Sequence, residues 1–168
     1  MQLLSLFSSL LFLQLSSNIS PAAAASCSID PSFASDLPAY DFKYSVPEAS
    51  HVEMNLYWKL LDSENEISFR MEITRNAWLA LAISPDNYMS DSDATIGLPS
   101  SNEVKKYSLT SQSLAGVQAR SEGVQDLTDA SVTQADGKTV LSFTRKITPS
   151  NPSSSNGGEK AINPEGGT

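Results

Sequence analysis

The strongest constraint on this chain is an alternation. Val52, Met54, Leu56, Trp58 and Leu60 are interleaved with Glu53, Asn55, Tyr57 and Lys59, and Ile67, Phe69, Met71 and Ile73 with Ser68, Arg70, Glu72 and Thr74. A period of two places each apolar set on one face of a strand. The polar turn Asp62-Ser63-Glu64-Asn65 separates the runs, so they are predicted to form an antiparallel hairpin with one buried face. Slippage by one residue would turn every apolar side chain outward, which fixes the register. No stretch of the chain sustains a 3.6-residue period, a heptad or a tandem repeat.

A different pattern follows. Trp78-Leu79-Ala80-Leu81-Ala82-Ile83 is apolar without interruption, as expected of a strand in the middle of a sandwich, covered on both faces. Pro85-Asp86-Asn87 breaks it, because Pro lacks an N–H and Asp and Asn favour turns. Met89 sits on the polar loop beyond, and Ala94-Thr95-Ile96 starts another short strand that ends at Gly97. Further strands are expected at residues 104–109 and 115–119, with a short edge strand at 41–45 in a Pro-punctuated lead-in. Residues 130–135 and 138–147 flank Asp136-Gly137, a pair that tolerates the positive φ of a type I′ hairpin turn. The expected architecture is all-β: an immunoglobulin-like antiparallel β-sandwich of about seven or eight short strands over residues 26–147. From Thr148 the composition turns to Pro, Ser, Asn and Gly. Residues 148–168 read as a tail whose composition buries no core, a truncated continuation of the domain.

With 168 residues the chain is long enough for one domain and a modest core. Its apolar beginning leads to Ala22-Ala23-Ala24-Ala25, which predicts a secretory signal peptide over residues 1–25. The apolar run is shorter than the ~20 residues that span a bilayer. A lipidated Cys27 is disfavoured, because Ala24 stands where a Leu is expected. The mature chain is therefore expected to be secreted or held at the extracellular face of a membrane, with any tether lying outside this chain. Asn18-Ile19-Ser20 is a glycosylation sequon but lies within the signal. The formal net charge is −8, and Lys and Arg are few and scattered. That excludes nucleic acid, whose phosphates require a clustered basic face. Cys27 is the single cysteine and makes no internal disulfide.

Side-chain catalysis is not on offer. One His and one Cys, far apart, make no triad or dyad. Zinc needs several such ligands, and no Gly-rich phosphate loop follows a strand. Met89 calls for explanation: a thioether is a soft, neutral ligand suited to a metal or a flat cofactor, while the plainer reading is a flexible gap-filler. His51 precedes the first alternating run and reads as structural or solvent-facing. Asp86, Asp91 and Asp93 stand with Ser90 and Ser92 in an acidic loop. Alternating Asp residues suit Ca²⁺, but no Gly-containing loop of the helix–loop–helix type surrounds them, and a solvated turn is expected. Trp58 and Trp78 are expected to pack in the core.

Residues 78–97, taken in order, are an aromatic-led apolar strand, a turn, a Met followed by a loop of small residues and Asp, and a short strand ending in Gly. This stretch resembles the DOMON domain family, over about 100 residues of chain. The family includes the haem-binding cytochrome domain of cellobiose dehydrogenase and modules fused to transmembrane b-type cytochromes. Other members, at the front of copper monooxygenases, bind no haem through this loop. In haem-binding members the matching Met is one axial ligand and a His past the last hairpin is the other. The resemblance implies Met89 as an axial ligand of a haem b iron. His51 falls on the wrong side of the motif for the second role, so that ligand is absent from this chain. Either the closing strand and its His belong beyond Thr168, making this a fragment, or this is a short form without bis-axial haem. The stop after Gly166-Gly167, where a buried strand is expected, favours the first. The function implied is an extracellular module that binds b-type haem and passes electrons, as part of a larger redox protein. Its partner would be a redox protein or a fused transmembrane b-type cytochrome. The alternative is a non-haem module for sugar or protein binding or adhesion, with Met89 merely packed.

Overall fold

The computed structural model describes residues 35–46, 53–61, 65–150, 152 and 157–162. The expected signal peptide, Cys27, His51, Val52 and the turn at 62–64 lie outside the described residues. Among the described residues, nine strands form two antiparallel sheets arranged as a sandwich.

The alternating runs are β2 (Met54–Leu61) and β3 (Glu66–Ile73), in a register that sets Leu56 opposite Met71 and Trp58 opposite Phe69. β1 (Phe42–Val46) joins β2 on one side. β9 (Lys138–Lys146) pairs with β3, and β8 (Thr128–Ala135) completes a five-stranded sheet in the order β1-β2-β3-β9-β8. Asp136 and Gly137 carry φ of 52° and 75°, the double positive φ expected of the tight β8–β9 turn. The apolar phase of these strands forms the main core: Met54, Leu56, Ile67, Phe69, Met71, Ile73, Leu141 and Phe143, joined by Leu79 and Leu81 from the other sheet. Each such side chain contributes about 1.5–3 kcal/mol by leaving water. Trp58 packs against this core as expected and stacks on Phe42, ring centres 5.3 Å apart.

The second sheet has the order β4-β5-β6-β7, formed by β4 (Leu79–Ile83), β5 (Ser92–Leu98), β6 (Glu103–Leu109) and β7 (Val117–Ala119). The expectation of a central strand is corrected here. β4 is buried on both faces yet stands at the sheet edge. Unbroken apolarity reports two covered faces, not two strand neighbours. β5 is the deeply placed strand, buried from Ser92 through Gly97. A Cβ on Gly97 would lie 2.8 Å from Leu141 Cδ1 and 3.1 Å from Val132 Cγ2, so its missing side chain lets the two sheets approach.

The tail also differs from its compositional reading. Gly157, Gly158 and Glu159 are buried, and Ile162 N–H donates to the Ile147 carbonyl at 2.8 Å. Ile162 packs against the main core, and ionic contacts hold the residues before it.

Candidate functional site

Alternation along β5 divides two environments. Asp93, Thr95 and Gly97 face the five-stranded sheet, as the Asp93–Arg145 pair and the closeness of Gly97 to Leu141 require. Ala94 and Ile96 face the other way. They form a second apolar cluster with Ala80, Ala82 and Leu109, brought side by side by the pairings Ala80↔Ile96 and Ala82↔Ala94. Met89, partly buried, packs against this cluster together with Trp78, Leu98, Tyr107 and Val117. Three alanines thus make a flat floor, and larger side chains, one of them the thioether, stand against it. Trp78 packs in this second core cluster, as Trp58 does against the main one. Tyr88, the neighbour of Met89, is 64% exposed.

The loop carrying Met89 is braced locally. Asp86 Oδ1 accepts from the Tyr88 N–H at 3.0 Å, an Asx-type turn. The Tyr88 carbonyl accepts from the hydroxyls of Ser84 and Ser92, both at 2.8 Å. Asn87 and Asp91 hold positive φ of 70° and 64°, which Asn and Asp tolerate better than other side chains.

Asp91 and Asp93 do not form a solvated turn, and their oxygens are occupied by cationic and amide donors rather than left open for Ca²⁺. Asp91 Oδ1 accepts from the Gly157 N–H and from Lys160 Nζ, each at 2.8 Å. The Lys160 ammonium, with the Gly157 amide assisting against desolvation, holds the Asp91 carboxyl below the usual Asp range. Asp93, fully buried, pairs with Arg145 at 2.8 Å and Arg120 at 3.2 Å. Lys106, buried on the inward face of β6, pairs with Glu159 and, at 2.8 Å, with Asp126. Burial would push the Asp126 carboxyl up, but the Lys106 ammonium overrides that and lowers it. A buried ion is tolerable only when paired in this way. These partners were missed from the sequence, though a signal existed: Arg145 shares the inward phase of β9 with Leu141 and Phe143, and Lys106 that of β6 with Val104. Among the described residues there is no histidine, and no group of three or more His, Cys, Asp or Glu is placed to hold a metal ion.

The outward face of the five-stranded sheet carries a separate polar cleft of about 230 Å³, lined by Asp36, Lys43, Glu53, Asn55, Tyr57, Glu72, Thr74 and Lys138 among others. Burial would raise the Glu72 carboxyl, but hydrogen bonds from Lys138 and Arg70 outweigh it and hold the group below the usual range.

No curated protein and no solved structure matches this chain. A family profile does, that of the DOMON domain, over residues 50–159. The match takes in the β2–β3 hairpin, the Met89 loop, the ionic cluster and the first buried residues of the tail. DOMON domains are typically extracellular, and the family includes haem-binding members. Among the described residues no helix is long and apolar enough to cross a membrane. With nearly two-thirds of its length covered by the profile, the chain belongs to the DOMON domain family.

Proposed function

We propose that this DOMON domain is an extracellular module that binds b-type haem against the outer face of the four-stranded sheet, with Met89 as an axial ligand. In this reading it carries electrons within a larger redox protein, to or from a partner protein or a fused transmembrane b-type cytochrome. One observation carries the reading: Met89, only partly buried, packs against an apolar cluster on the outer side of the four-stranded sheet, in which Ala80, Ala82 and Ala94 are small side chains. A haem requires a flat apolar wall and axial donors, and these residues fit the wall and one donor position. Bound haem would supply a reversible one-electron carrier. The thioether sulfur favours the ferrous, less charged iron and so raises the reduction potential. Trp78 and Tyr107, packed against the same cluster, would help exclude water there.

The purified full-length protein, supplemented with haem, is expected to show a Soret band that shifts on dithionite reduction. Met89→Ala is expected to lose the low-spin spectrum while keeping its β-rich circular dichroism. A colourless protein after supplementation would remove the haem reading. The second reading, a non-haem sugar- or protein-binding module, is favoured by the polar cleft, whose side chains offer the donors and acceptors that a polyhydroxylated ligand needs. Binding of a sugar that Asn55→Ala abolishes and Met89→Ala leaves unchanged would establish it.

A further inference from the structure

We infer that residues 157–160 form a strap that sets the position of Met89, with Asp91, Gly157 and Lys160 as positioning residues. The inference rests on Met89 facing a ligand and deepens that reading. Asp91 lies two residues beyond Met89 and holds a left-handed φ of 64°. Asp visits that conformation readily but is not confined to it, so partners outside the loop decide whether it stays. The enforcement comes from the strap: the Gly157 N–H and Lys160 Nζ both reach Asp91 Oδ1 at 2.8 Å. One alternate position further along, Asp93 Oδ2 accepts from Arg145 and, at 3.3 Å, from the Lys160 N–H. Arg120 ties the strap from below through the Gly157 carbonyl at 2.6 Å, and Arg145 through the Lys160 carbonyl at 3.1 Å.

The strap has no room to sit elsewhere. Gly157 holds φ of 70°, and a Cβ there would lie 2.7 Å from Thr110 Cγ2 and 3.0 Å from Ser108 Cβ. Any other residue would lift the segment from β6 and draw Lys160 away from Asp91. On its other side the Met89 loop is held by the two serine hydroxyls on the Tyr88 carbonyl. Met89 is thus pinned from before by its own loop and from behind through Asp91, whose partner Lys160 lies 69 residues further along the chain. The bonds to the Asp91 carboxylate are charge-assisted, the class whose loss is felt most.

Peroxide oxidation of the four methionines, followed by peptide mass spectrometry on the full chain without haem, tests this directly. Met54 and Met71 lie in the main core and report global loosening. In Lys160→Met and in Asp91→Asn, Met89 is expected to oxidise about tenfold faster, the factor that one charge-assisted hydrogen bond carries, with Met54 and Met71 unchanged. Lys160→Arg is expected to return Met89 to the wild-type rate. With haem loaded, the first two variants are expected to shift the reduction potential and weaken the low-spin bands. An unchanged Met89 rate, or a rise shared by all three methionines, would overturn the strap. If Met89 alone responds but the wild-type chain never takes up haem, the strap stands and the haem reading falls.

Discussion

The outward faces of the two sheets are opposites. The five-stranded sheet turns Lys59, Ser68, Arg70 and Ser142 outward, half-buried, and keeps its apolar phase inside. The four-stranded sheet carries Ala80, Ala82, Ala94, Ile96 and Leu109 on its outer phase, all buried beneath Trp78, Met89, Leu98, Tyr107 and Val117, and turns Asp93 and Lys106 inward. A sheet face that meets only solvent gains nothing from being apolar, and this one does not: larger side chains pack over it and make a small second core outside the seam between the sheets. The inverted interior is the counterpart. Its ions give little net stability compared with an apolar filling, but they fix where two loops and the strap must sit. Specified position, more than strength, is what the inverted half of the molecule gains.

The largest expected effect tests the ionic interior. Asp93→Ala leaves the Arg145 and Arg120 guanidinium groups facing each other without their anion, which should cost about 3–5 kcal/mol. Urea unfolding measures it, and a loss under about 1 kcal/mol would mean that solvent reaches the cluster and the inversion is shallow. Next is the seam between the sheets. Gly97→Val forces methyl groups against Leu141 and Val132 and should cost about 1–3 kcal/mol in the same assay. The outer face comes third. Ala82→Asp places an unpaired carboxylate among buried alanines, so it should cost stability as well as weaken haem uptake by about tenfold or more, read by titration of the Soret band on the folded protein. Full uptake by that variant would separate the apolar face from the ligand.

The smallest effect belongs to the polar outward face. Glu72 has a lowered pKa, so it adds stability above the unfolded Glu value of about 4.3 and loses it as the pH falls through the folded value. Arg70 and Lys138 are surface partners, so the contribution is under about 1 kcal/mol. Glu72→Gln should therefore lower stability slightly at neutral pH and flatten its decline below about pH 4. Equal decline in both proteins would place the acid-sensitive carboxylates elsewhere.

How much of this was legible depended on which physical term left a mark in the sequence. The β2–β3 register showed in the alternation of Met54 to Ile73, and the β8–β9 turn in Asp136-Gly137, because burial phase and backbone φ are local properties. The edge position of β4 was not legible. Leu79, Ala80, Leu81 and Ala82 state that both faces are covered, and strand order depends on partners far along the chain. Met89 was singled out as an odd residue for its loop, and the structure sets it against the alanine cluster beside Trp78. Asp91 and Asp93 were misread because their cations are remote: Arg120, Arg145 and Lys160 follow in three separate segments. The tail misled for the same reason, since composition measures apolar content and Gly157, Glu159 and Lys160 are held by charge.

The span between Asp91 and Lys160 also bears on biosynthesis. Domains form as the ribosome extends the chain, and residue 91 emerges well before residue 160 can return to it. Closing so long a loop carries an entropic penalty that only the finished sheets offset. A nascent chain therefore leaves Asp91 without its partners, and the loop before it unbraced on that side, until residues 157–160 have docked.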